Sequence, residues 1–286
     1  MPPPSKPWAL VSPASRGIGL QLARRILQTT NVPVVATARK ELDKTKKEIL
    51  NGLNIDEGRL DVLKVDVLDE ATIGSAASHC ASQFPTKGDG AHHLHLTYLI
   101  PGLLFPEKSP RQIDAASALL TFQTNALGPL LMLKHFSPFL PKKSTPFAEE
   151  GEMKGLPKQA IMALMSARVG SITDNSLGGW YSYRASKAAV NQITKTFDNF
   201  LRSTAGDAAM AVALHPGTVK TDLSREFWGN VREEKLFEAE WVAERLVELL
   251  GGAKGEAQRE ERRLRRVLGV GERGRCWDWK GEEIPP

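Results

Sequence analysis

Tyr183 and Lys187, in "YSYRASKAAVN" (181–191), are the residues of this chain whose types and spacing most directly suggest chemistry. Four positions apart in a helix, they share one face. A phenol with a pKa of about 10 is a poor acid–base catalyst at neutral pH unless its phenolate is stabilised, and an ammonium one turn away does that. Tyr181 has Ala185 at the same spacing, so Tyr183 is the candidate. Isolated Tyr-x-x-x-Lys pairs are common on protein surfaces. The weight of this one depends on the elements that place it.

Those elements alternate from the first residues onward. Continuous apolar runs at 8–12, 32–39, 59–67, 95–102, 160–166, 208–217 and 274–281 read as buried strands. Amphipathic helices fall between them: from Gly17, over 41–50, over 69–84 with Asp69 at its N-cap, over about 111–136, from near Trp180, and over 238–250. Such alternation predicts one doubly wound α/β domain of Rossmann type spanning 1–286, with helices on both faces of a mostly parallel sheet of about seven strands. Segments 142–159 and 251–273 read as insertions. Ligands of such sheets sit at the carboxyl ends of the strands, and the short motifs of this chain fall there.

The first of these ends is "SPASRGIG" (12–19). A strand, a glycine turn and a helix start can cradle a pyrophosphate, with Gly17 and Gly19 letting the backbone approach it. Pro13 stands where a glycine would complete the motif; it lacks an N–H and fixes φ. Ser12 and Ser15 offer hydroxyls, and Ala14 and Ser15 amides, so a reshaped turn is expected. The second strand ends Thr37-Ala38-Arg39 without an acid. Arg39, with Arg16 close by, favours a 2′-phosphate, hence NADP(H) over NAD(H); the alternative for Arg39 is a solvated strand end.

Composition narrows the classes. The 286 residues carry a formal net charge of +5 and two cysteines, Cys80 and Cys276, without metal-like spacing. His92, His93 and His95 lack a carboxylate or thiol to complete a metal set, and no metal is expected. The stretch 254–275 mixes acids with bases and has no aromatic to stack on nucleobases; it reads as an exposed, salt-laced helix rather than a nucleic-acid surface. The amino-terminal residues lack a signal-peptide layout, and no apolar run is expected to span a membrane, so the expected location is cytoplasmic.

Taken together, "SRGIG" (15–19), "VDV" (65–67), "TNALGPLLM" (124–132), "YSYRASKAAVN" and "HPGTVKTD" (215–222) resemble the short-chain dehydrogenase/reductase family over nearly the whole chain. The stretch 166–187 and the tail 274–286 resemble its subgroup of small carbonyl reductases related to the bacterial C-factor and the insect sniffer protein. The resemblance implies that Tyr183 protonates a carbonyl oxygen and that Lys187 lowers its pKa and holds the nicotinamide ribose. It gives Asn125 a water of the proton relay, Ile18 the nicotinamide half, and Asp66 and Val67 the adenine. Gly102, Pro216, Gly217, Val219 and Thr221 complete the implied cofactor contacts. Phe227 and Trp228 fall in the region that closes over substrate, and favour a hydrophobic or aromatic carbonyl compound or alcohol.

Three positions depart from the family pattern. Pro13 is one, and "LIPG" (99–102) replaces the usual Asn-Asn-Ala-Gly. The third is Ala167, where the family places the serine that polarises the carbonyl; Ser166 and Ser171 are the alternatives. Losing one such donor costs on the order of 10²–10³ in rate. The expectation is therefore an NADPH-dependent carbonyl reductase, and the resemblance adds a homodimer or homotetramer, as family members often are; the competing expectation is a degenerate member acting as a nucleotide-binding or protein-interaction scaffold.

Overall fold

The computed structural model describes residues 3–148, 153–252 and 264–286. Its central sheet is built from β1 (Lys6–Ser12), β2 (Val34–Ala38), β3 (Leu60–Lys64), β4 (His92–Leu99), β5 (Ala160–Met165), β6 (Ala209–His215), β9 (Cys276–Asp278) and β10 (Glu283–Ile284). Their order across the sheet is β10-β9-β6-β5-β4-β1-β2-β3. All pairings are parallel except the β9–β10 hairpin, which supplies the eighth strand. A separate parallel pair, β7 (Thr218–Val219) with β8 (Leu236–Phe237), follows β6.

Because the inner strands are apolar at successive positions, they feed two cores. Ala9, Val11, Val34, Ala36, Tyr98 and Ile161 face one side. There they meet α1 (Gly17–Thr29), α2 (Leu42–Leu50) and α7 (Ala239–Leu249) through Leu22, Ile26, Ile49, Val242 and Leu246. Trp8, Leu10, Val35, Met162 and Leu164 face the other, against α3 (Glu70–Gln83), α5 (Gly128–Phe136) and α6 (Tyr181–Thr204). The Asp69 carboxylate caps α3, accepting from the Ala71 N–H at 3.1 Å.

The helix expected over 111–136 is α4 (Ala115–Phe122) joined to α5 by a π-helical turn, Gln123–Leu127. Such wide turns recur at functional sites. With the short turn after it, the run Ala115–Phe139 is long and apolar enough by length and composition to cross a membrane, mean hydropathy 1.2. That corrects the expectation of no such run; in this fold α5 packs on α3 and the sheet. The fourth strand also starts earlier than expected, at His92, and ends at Leu99, leaving Pro101 and Gly102 in the following loop.

Of the first insertion, 149–152 lies outside the described residues; Phe147 bridges back to Ser5 beside β1. Of the segment read as a charged helix, 254–263 lies outside the described residues. The rest, 264–275, is not helical. Arg273 explains why: it is 4% exposed and ion-paired with the buried Asp198 at 2.9 Å, which pins this stretch onto α6.

Candidate active site

The carboxyl edge of the sheet gathers the sequence motifs. At the end of β5 the chain makes a turn over Arg168–Gly170 and enters α6 through Gly178, Gly179 and Trp180. Helical spacing then puts Tyr183 and Lys187 on one face, the Lys187 Nζ 5.6 Å from the centre of the Tyr183 ring. Both are buried, at 7% and 2% exposure. No described residue hydrogen-bonds the Tyr183 hydroxyl, and the edge of Trp180 closes one side of its ring at 6.1 Å. Burial pushes the Tyr183 pKa up and draws that of Lys187 down to about 8, with the Cys276 thiol as a smaller opposing influence on the lysine. The phenol is therefore firmly protonated at neutral pH, a proton donor held without a partner.

Around it, the other polar groups are committed. Lys187 Nζ donates to the Met165 carbonyl at 2.8 Å, tying the lysine to the end of β5. Asn125 sits fully buried in the π-helical turn. Its Oδ1 accepts from the Leu103 N–H and its Nδ2 donates to the Leu103 carbonyl, both at 2.8 Å. Nδ2 also donates to Ser186 Oγ at 3.0 Å, and Ser186 donates to the Tyr183 carbonyl at 2.8 Å. Asn125 thus links the loop after β4 to α6.

Neither candidate serine replaces the one missing at Ala167 by its resting contacts. Ser166 Oγ donates to Asn191 Oδ1 at 2.6 Å, beneath Lys187, and Cys276 hydrogen-bonds the same hydroxyl. Ser171 Oγ accepts from the Asp174 N–H at 3.0 Å and donates to the Pro286 carbonyl at 3.4 Å. Both are 2% exposed.

The glycine turn lies at the end of β1. Gly17 has φ +55, and a Cβ there would stand 3.2 Å from Thr221 Cγ2. At Gly19 a Cβ would stand 2.0 Å from the Pro13 carbonyl oxygen, so only glycine lets α1 approach this turn. No side chain caps α1, which leaves its first amides open. The Ala14 N–H is spent inside the fold, donating to the Thr37 carbonyl at 2.7 Å, whereas Ser12 Oγ accepts from Thr37 Oγ1 at 2.8 Å and keeps its own proton to donate. Ser15 and Ile18 remain half-buried at the turn.

Arg39 is exposed at the end of β2. Arg16, expected near it, instead reaches across the cleft to Asp222, at 3.2 Å. The opposite charge of Asp222, after β6, accounts for that direction. Asp66 Oδ1 accepts from the Leu68 N–H at 3.1 Å in the turn after β3, with Val67 packed against the start of α5 at Gly128.

Beyond β6, Pro216 and Gly217 lead into β7. A Cβ at Gly217 would stand 2.6 Å from the Phe237 ring. Val219 is buried, and Thr221 begins a short helical stretch, Asp222–Asn230. This stretch touches all three turns: Asp222 at Arg16, Leu223 beside Gly102, and Phe227 against Trp180 at 4.9 Å. Trp228 donates from Nε1 to Ser224 Oγ within the stretch, at 2.9 Å.

The sequence reading missed Glu107 in the loop after β4, and Ser182, Ser186 and Asn191 on α6, through which Glu107, Asn125 and Ser166 hold that helix in place. Nothing local marked them. His93 and His95, by contrast, are structural, and no group of three or more metal-binding side chains occurs among the described residues.

No protein-family model matches the chain. A 1-hydroxy-2-glutathionyl-2-methyl-3-butene dehydrogenase of Rhodococcus is 37% identical over 107 residues, 37% of this chain and 39% of that protein. The C-signal protein of Myxococcus xanthus is 34% identical over 111 residues, 39% of this chain and 57% of that protein. The chain therefore matches less than two thirds of either relative. An uncharacterized oxidoreductase of Schizosaccharomyces pombe is 28% identical over 76% of this chain and 75% of its own. Among solved structures, an NADPH-bound carbonyl reductase from chicken fatty liver superimposes with a TM-score of 0.75 at 25% identity, covering 99% of this chain and 100% of that one. The carbonyl reductase Sniffer of Drosophila melanogaster has the same fold, with a TM-score of 0.73 at 21% identity over 99% of this chain and 100% of its own. The eight-stranded Rossmann-type sheet and the helix-borne Tyr183–Lys187 pair at its carboxyl edge agree with these likenesses: the chain has the fold of the two carbonyl reductases and is similar in sequence to the C-signal protein and to oxidoreductases.

Proposed function

We propose that the protein is an NADPH-dependent carbonyl reductase, working on a small hydrophobic or aromatic ketone or aldehyde, or on the alcohol in reverse. The observation that carries this reading is the Tyr183 phenol: buried, protonated, unpartnered and one turn from Lys187. A phenol whose only task was packing would be no better served there than phenylalanine.

The residues present fit a dinucleotide in most respects. The open amides of α1 and the Gly19 cradle suit a pyrophosphate, and Arg39 suits a 2′-phosphate, with no carboxylate at that strand end to repel it. Lys187, with two further N–H groups beyond the one given to Met165, suits the ribose hydroxyls. When bound, NADPH would supply the hydride. Tyr183 Oη donates its proton to the carbonyl oxygen of the substrate, and the Lys187 ammonium stabilises the phenolate that remains. Trp180 and Phe227 exclude water and offer an apolar wall. Support for NADPH also comes from the chicken carbonyl reductase, which binds it.

A second reading has its own observation. Ala14, Ser166 and Ser171 all give their protons to internal bonds, and Pro13 has no N–H, which favours a member that binds weakly and acts as a scaffold. A fluorescence titration with NADPH and with NADH separates the two. Micromolar NADPH binding, at least tenfold tighter than NADH and reduced tenfold or more in Arg39→Ala, is expected; no binding of either at millimolar concentration would overturn the enzyme reading.

A further inference from the structure

Tyr183 is only as well placed as the start of α6, and that helix starts under strain. Gly178, Gly179 and Trp180 hold φ of +63, +69 and +51 in succession. Left-handed backbone at a non-glycine residue such as Trp180 is costly and persists only where its surroundings enforce it. The Trp180 side chain offers no cap to the helix. The cap comes instead from Glu107, in the loop after β4.

Ser182, next to Tyr183, donates its N–H to Glu107 Oε2 at 2.7 Å and its hydroxyl to Oε1 at 2.5 Å. The Trp180 N–H donates to the Glu107 carbonyl at 2.6 Å. A Cβ on Gly179 would stand 3.3 Å from that carbonyl, so the two chains are in close approach. Glu107 is 3% exposed and forms no ion pair among the described residues. Burying a carboxylate without a cation is unfavourable; two hydrogen bonds and the positive end of α6 offset it. The same loop is clipped at Leu103 by Asn125, so Glu107 is itself fixed from behind.

We propose that Glu107 is the positioning residue of the catalytic helix: its carboxylate and carbonyl clasp the Gly178–Ser182 turn and so set where the Tyr183 hydroxyl meets the substrate. This rests on the reading of Tyr183 as proton donor. It assigns Glu107 no contact with substrate or cofactor.

The test uses Glu107→Ala and Glu107→Gln in the full chain, with two readouts. One is steady-state oxidation of NADPH with 4-nitrobenzaldehyde as probe; the other is hydrogen–deuterium exchange at the amides of 181–184. Glu107→Ala is expected to lower kcat at least tenfold, leave the NADPH Kd within twofold, and speed exchange at 181–184 at least tenfold with no change in the strands. Glu107→Gln is expected to restore both within threefold, because its amide oxygen accepts from the Ser182 N–H while its NH₂ donates to Ser182 Oγ. A merely structural role would raise exchange throughout and lower kcat only with the folded fraction. That result, or wild-type exchange in Glu107→Ala, or Glu107→Gln as impaired as Glu107→Ala, overturns the proposal. If Glu107→Ala does not fold, Ser182→Ala, which removes one of the three bonds, must show a smaller change of the same pattern. A wild-type protein that turns over no probe defeats the functional reading, while the exchange comparison still decides whether Glu107 holds α6.

Discussion

Two polar clusters stand at opposite edges of one sheet, and they are finished differently. At the amino edge, Ser5, His93, His95 and the Pro157 carbonyl form a closed chain, with spacings of 3.0, 2.9 and 2.9 Å. A carbonyl can only accept, so His95 Nε2 donates, its Nδ1 accepts from His93 Nε2, and His93 Nδ1 accepts from Ser5. Phe147 stacks on His93 at 4.9 Å and seals the chain from outside. At the carboxyl edge Asn125 and Ser166 are equally committed and Lys187 gives one N–H to Met165, yet they surround a phenol with no partner. A cluster with every valence spent holds the fold; on the proposed reading, the open phenol is where the substrate carbonyl is met.

The largest effect expected of this contrast is at the open group. Tyr183→Phe removes a hydroxyl that no described residue bonds, so stability should change by less than about 0.5 kcal/mol. Turnover of NADPH with an aromatic aldehyde should fall by roughly 10²–10⁴, the usual contribution of a positioned acid. Measured together, unchanged melting and near wild-type turnover would break the contrast, since the open valence would then have no use.

The closed chain should answer in the opposite currency. His95→Leu leaves the Pro157 carbonyl and His93 Nε2 without partners, at a cost of about 2–4 kcal/mol by urea unfolding and no change in kcat. Burial draws His93 down to about 3 and His95 to about 4, with the charges of His95 and His92 a further influence on His93. Both folded values lie below the ordinary histidine value of about 6.5, so the unfolded chain binds protons first. The stability these groups contribute is complete above about pH 6.5 and is lost as pH falls toward their folded values, by about 2 kcal/mol per histidine at about pH 5. Unfolding midpoints from about pH 8 to pH 5 should show this fall in the wild type and a shallower one in His95→Leu.

The sheet and the Tyr183–Lys187 pair were legible because they rest on periodicity and spacing. The run "VPVVATAR" can only be buried on both faces, and Tyr183 and Lys187 are neighbours by helical geometry alone. Arg16 was not legible in the same way: its position in the glycine turn was plain, but its direction depended on Asp222, 206 positions away. The Ala14 amide hid its commitment likewise, since only pairing with β2 shows that it goes to the Thr37 carbonyl. The described part of the charged stretch, 264–275, is not the solvated helix expected: Arg273 pairs with Asp198 on another element. Local pattern shows which residues line an edge; long-range partners decide which of them remain free.

The smallest effect concerns the serines, where that rule is most exposed. Family spacing makes Ser171 a candidate to polarise the carbonyl, but its hydroxyl is taken by the Asp174 N–H at 3.0 Å and the Pro286 carbonyl at 3.4 Å. The second contact is long and gives little energy. Ser171→Ala should cost about 0.5–1.5 kcal/mol of stability through the lost turn bond. It should change kcat less than threefold. A loss on the order of 10²–10³ would mean that the hydroxyl leaves Pro286 and turns to the substrate during catalysis, as removal of an oxyanion donor does. Commitment at rest would then be a poor guide to function at this edge, and the open valence of Tyr183 would be one useful group among several rather than the feature that marks the site.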